Sequence, residues 1–145
     1  MKVFLDEGAY MPERAHETDA GIDLKSREEK TIYPVFSWSR IAESGVFDTV
    51  VHIELPRGCY GKIEGRSGLN IKQSIVCCGG VIDEGYTGSI KVKLYNLGNV
   101  PHIVHIGDKI AQLIIQPYLS PELEQTGEPL EESKRGDNGF GSTGR

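Results

Sequence analysis

The chain has 145 residues, 26% of them charged, and a net charge of −5 at pH 7, which sets the expectation of one domain with a modest core. No apolar run approaches the roughly 20 residues needed to span a bilayer, and no cluster of Lys and Arg offers the footprint of a nucleic-acid polymer, so neither partner is expected. The opening MKVFLDEGAY lacks the apolar stretch of a signal peptide, which points to the cytoplasm.

In chain order, the first informative segment is DAGIDLKS at 19–26. Asp23 stands between Ile22 and Leu24, so burial of those two predicts Asp23 on the wet face, holding a metal-bound water or simply exposed. Residues 36–48 (FSWSRIAESGVFD) carry the only Trp and no clear period, and read as a long hairpin or surface excursion. Residues 51–55 (VHIEL) and 90–94 (IKVKL) alternate apolar and polar, and 103–106 and 110–115 do so more loosely. Such alternation, broken by Gly and Pro, predicts many short antiparallel strands in a sandwich or barrel.

GRSGLN follows at 65–70. Arg66, Ser67 and Gly68 combine a fork of donors, a hydroxyl and free backbone N–H groups, a set suited to oxyanions. A short helix over 68–73 is predicted, started by the Ser67 hydroxyl as a cap. Cys59, Cys77 and Cys78 form no pairing or zinc spacing and read as buried reduced thiols. In GVIDEGYTGSIKVKLYN at 80–96, Asp83 ends an apolar pair before a turn; it is either a proton acceptor from water or a turn cap. Tyr86, in the same turn, floors a pocket or covers a core edge. His102 and His105 fall on opposite faces of a strand and read, with His16 and His52, as surface or satisfied core residues. Gln112 interrupts the apolar run of GDKIAQLII and must bond backbone or a ligand.

Residues 120–134 are acidic and contain Pro121 and Pro129, as a linker would. From Lys134 the stretch KRGDNGFGSTG combines the cation Arg135, one ring, two hydroxyls and four glycines, the parts of an arm that orders over a phosphorylated, ring-bearing ligand; a frayed tail is the alternative. The division expected is a β domain over 1–119, with an extra segment at 36–48, and a linker plus arm over 120–145.

In this order the five segments resemble the motifs of the homotrimeric dUTP pyrophosphatase family. The resemblance implies a jelly-roll-like antiparallel β barrel, a trimer with sites shared between chains, and Mg²⁺-assisted hydrolysis of dUTP to dUMP and pyrophosphate. That reaction keeps uracil out of DNA and supplies dUMP for dTMP synthesis. It implies Asp83 as the general base and Arg66, Ser67, Gly68 and Gln112 as phosphate ligands, with Asp23 holding Mg²⁺ through water. Tyr86 would pack beneath the deoxyribose, and the backbone of Gly80, Val81, Ile82 and the region of Lys91 would read uracil. Arg135 would pair with the γ-phosphate, Phe140 would stack on the base, and Gly141, Ser142 and Thr143 would surround the terminal phosphates. The chain departs from the family at Cys77, at Gly65 and in the length of 36–48. A related deaminase of dCTP is disfavoured by Lys93 in place of its carboxylate. A regulatory module binding a partner protein through 36–48 is the alternative of another class.

Overall fold

A computed structural model describes residues 1–35, 44–131, 133 and 136. Among these, the strands are β1 (Lys2–Leu5), β2 (Ile22–Lys25), β3 (Lys30–Ile32), β4 (Ser44–Asp48), β5 (Val51–Glu54), which carries the alternating run at 51–55, and β6 (Cys59–Glu64). Helix α1 (Ser67–Gln73) precedes β7 (Ile75–Cys77), β8 (Val81–Ile82), β9 (Lys91–Asn96), β10 (His102–Val104) and β11 (Lys109–Pro117). The strands pair as β2-β11-β6-β8 and β4-β9-β7, with two further ladders, β1-β5 and β10-β3. Every ladder is antiparallel.

Strand β9 shows how the pattern builds the core. Val92, Leu94 and Asn96 are buried, while Lys91 is exposed and Lys93 and Tyr95 are half-buried. Val92 and Leu94 join one apolar cluster with Phe47 and Ile75 from their own sheet and Ile22, Leu24, Ile63 and Leu113 from the other. Each such side chain contributes on the order of 1.5–3 kcal/mol. The buried amide of Asn96 is satisfied, donating to the Ile32 and Val100 carbonyls at 2.9 and 2.7 Å and accepting from Gly98 N–H at 2.9 Å. The result is an antiparallel β architecture of the jelly-roll type.

Two expectations change. Residues 44–48 are not a surface excursion but the core strand β4, paired along β9 from Ser44↔Tyr95 to Asp48↔Lys91. Its period was masked because one of its two inward positions, Gly45, has no side chain; a Cβ there would lie 2.8 Å from the Phe47 ring. Residues 36–43, with Trp38, lie outside the described residues. In α1 the cap position is Arg66, with extended backbone and no side-chain cap bond, so Ser67 is the first helical residue instead of the cap.

Candidate active site

Strand β11 is the axis of the site. Gln112 lies opposite Asp23 on β2 and Glu64 on β6. A register shift between Lys109 and Ala111 bulges the strand, which accounts for Ile110 and Ala111 both being buried. The Gln112 amide is half-buried and donates to the Gly65 carbonyl at 3.0 Å. It thereby ties β11 to the residue that precedes Arg66.

Asp23 is not on a wet face. It is 6% exposed, although Ile22 and Leu24 on either side are also buried. Alternation puts its side chain on the other face, but cations cover that face. Arg66 Nε lies 3.2 Å from one carboxylate oxygen and Lys109 Nζ 2.7 Å from the other. On the backbone, Asp23 N–H donates to the Glu13 carbonyl at 2.8 Å, so the strand edge is also covered.

Arg66, Ser67, Gly68 and Gln112 line one cleft of about 700 Å³, together with Lys25 and Lys109. Sequence reasoning did not single out these two lysines, although they stand within DAGIDLKS and GDKIAQLII. His102 also lines this cleft instead of sitting at the surface or in a core, and partial burial lowers its basicity. Arg66, Ser67 and Gln112 also border a second cleft, of about 600 Å³, that reaches Cys77. Burial pushes the Cys77 thiol up to about 11. Cys78 is exposed, against the expectation of buried thiols.

Asp83 is exposed in a separate depression of about 370 Å³ lined by Tyr60, Val81, Glu84 and Tyr118. Its loop turns at Gly85, with φ +86°. Glu84 accepts from Gly58 N–H at 2.7 Å and from the Tyr118 hydroxyl at 2.9 Å. Tyr86 is exposed and folds back, its hydroxyl donating to the Ser89 carbonyl at 3.1 Å. Gly80, Val81 and Ile82 lead into this loop, β8 forming the edge of its sheet, and Lys91 is exposed at the start of β9. Arg135, Phe140, Gly141, Ser142 and Thr143 lie outside the described residues. Among the described residues, no three His, Cys, Asp or Glu converge as a metal cage.

A phosphate-type cleft and an exposed carboxylate on an antiparallel jelly-roll scaffold define a nucleotide-handling protein. The dUTPase family model matches residues 7–144. Deoxyuridine 5'-triphosphate nucleotidohydrolase of Clostridium acetobutylicum is 43% identical over 142 residues, covering 97% of this chain and 92% of its own. The human mitochondrial enzyme of that name is also 43% identical, but this chain spans only 53% of its length. A Staphylococcus bacteriophage 80alpha dUTPase solved with dUPNHPP superposes with a TM-score of 0.83 at 34% identity, over 99% of this chain and 98% of its own. A point mutant of the dUTPase from phage phi11 of S. aureus, whose structure shows the coordination of a structural Mg(II) ion, gives 0.77 at 32% identity over 88% and 96%. The chain belongs to the dUTPase family.

Proposed function

We propose that the protein hydrolyses dUTP to dUMP and pyrophosphate in a site assembled from more than one copy of the chain. One observation carries the shared site: among the described residues, none lines both the cationic cleft of Arg66 and the depression of Asp83. In one protomer the candidate phosphate ligands and the candidate base thus line separate pockets. A homotrimer, as the motifs imply, joins the cleft of one copy to the Asp83 loop of another.

In the assembled site, Arg66, Ser67, Gly68 and Gln112 hold the phosphate oxygens, as phosphoryl transfer requires alignment and charge neutralisation. Asp83 takes a proton from water, whose oxygen bonds the α-phosphorus as the α,β-bridging P–O bond breaks and pyrophosphate leaves. The outer backbone edge of β8 reads the rim of uracil, since an edge strand offers unpaired N–H and C=O groups. Tyr86 lies under the sugar and excludes a 2′-hydroxyl. From the arm, Arg135 meets the γ-phosphate and Phe140 stacks on the base, with Gly141 and Ser142 beside the phosphates.

Mg²⁺ would be held chiefly by phosphate oxygens and waters, since it keeps waters and needs no protein cage; Asp23, whose two oxygens face Arg66 and Lys109, would reach it only through a water where the bound triphosphate draws one of those cations away. Bound there, it supplies charge neutralisation on the triphosphate. The regulatory alternative draws no support from residues 44–48, which form a strand paired along β9 with Gly45 and Phe47 buried.

The test is pyrophosphate release from each deoxynucleoside triphosphate and from UTP, with and without EDTA, beside sedimentation of the protein. Cleavage confined to dUTP by a trimer is expected. Ammonia release from dCTP at a comparable rate, or full activity from a monomer, would overturn the reading. Truncation after Lys134 should leave a folded trimer with little activity.

A further inference from the structure

We propose that His52 is a positioning residue for the sugar-reading loop, tying the carbonyl of Thr87, next to Tyr86, to Asp6 at the end of β1. The inference rests on the reading of Tyr86 given above. Residues 83–87 are all exposed, so packing does little to fix them, and hydrogen bonds to the scaffold decide the loop's conformation. At its far end that scaffold bond is His52. Its Nδ1 lies 2.8 Å from the Thr87 carbonyl oxygen and its Nε2 3.1 Å from Asp6 Oδ2. Both partners are acceptors. A neutral imidazole has one N–H, so making both bonds at once requires the imidazolium. Asp6 is itself held, its N–H donating to the Val50 carbonyl at 3.1 Å.

The surroundings favour that cation. Asp6 faces the ring from the end of β1 and Asp48 acts on it from β4, while the Phe4 ring lies 5.5 Å away, centroid to centroid. On the neighbouring positions of β1 and β5, Lys2 and Glu54 are paired with each other at 2.8 Å. The bonds to Thr87 and Asp6 hold the imidazolium above its ordinary range. The clamp is therefore complete at low pH and is lost as pH rises through that raised value.

The experiment compares kcat/KM for dUTP and UTP from pH about 5.5 to about 9 in wild type, His52→Gln and Asp6→Asn. The ratio of the two substrates cancels ionisation of Asp83 and of the triphosphate, common to both. Wild type should lose preference for dUTP on the alkaline side. His52→Gln should show a preference about three- to tenfold lower at acid pH and flat with pH, the loss of one charge-assisted bond. Asp6→Asn should move the wild-type break to lower pH, and it carries the test if His52→Gln fails to fold. A ratio equal to wild type at every pH in the folded variants would overturn the proposal. If wild type cleaves no dUTP, the activity reading falls instead, and NMR decides the clamp. The His52 ring should titrate above its ordinary range with the Thr87 and Gly88 amides following; a ring titrating as a free imidazole would overturn it.

Discussion

Gln112 lies over Gly21 so closely that a Cβ at position 21 would stand 2.0 Å from its Oε1. The amide keeps its place, and its bond to the Gly65 carbonyl, only because residue 21 has no side chain. Gly21→Ala should therefore push Gln112 aside and release the turn before Arg66. The expected result is a higher KM for dUTP with a smaller change in kcat, and a stability loss of roughly 1–3 kcal/mol from overpacking. Steady-state kinetics and a denaturant melt check both; unchanged KM would show that the contact does not align the phosphate ligands.

Asp23 joins Arg66 and Lys109, and Asp23→Asn would leave two cations facing each other across a neutral amide. Both cations are about one-third exposed, so water offsets part of the loss. A destabilisation of roughly 1–3 kcal/mol is expected, the scale of hydrogen bonds to charged groups. Activity should also need more Mg²⁺ to saturate. Rates across a magnesium titration, with a urea melt beside them, separate the two effects; a variant with the wild-type magnesium curve would remove Asp23 from the ion's surroundings.

Asp83 has an exposed carboxylate and no hydrogen-bond partner for it among the described residues, which leaves it open to a water. Asp83→Asn should lower kcat by about 10²–10⁴, the contribution of a positioned general base. Binding of a non-hydrolysable dUTP analogue, followed by calorimetry, should survive. Substantial remaining turnover would take the base role from Asp83.

What could be read from the sequence follows from how each signal is encoded. The face of Val92 and Leu94 was legible because period two is local and both inward residues are large. Strand β4 was hidden because Gly45, one of its inward positions, carries no side chain. The face of Asp23 was legible, but its environment was not, because the covering cations come from residues 43 and 86 positions later in the chain. Arg66, Ser67, Gly68 and Gln112, which line one cleft, were legible as motif residues. The lysines beside them and the separation of Asp83 from Arg66 are tertiary facts that no spacing carries.

Glu84, next to Asp83, anchors the near end of the 83–87 loop to Gly58 and Tyr118. The Gly58 N–H, with the Tyr118 hydroxyl second, holds its carboxyl below the usual carboxylate range. A depressed acid contributes its bonds fully above the ordinary carboxylate range and loses them as pH falls through its lowered value. The loop should thus hold at neutral pH and loosen only in strong acid. Glu84→Ala removes the acceptor for both donors and should lower kcat several-fold with little change in KM, since it displaces Asp83 and not the phosphate ligands. Glu84→Gln keeps one acceptor oxygen and should recover most of the loss, while Tyr118→Phe should fall between. Measured kcat and KM for the three variants decide the matter: equal kcat in Glu84→Ala and wild type would show that Asp83 is positioned without this anchor.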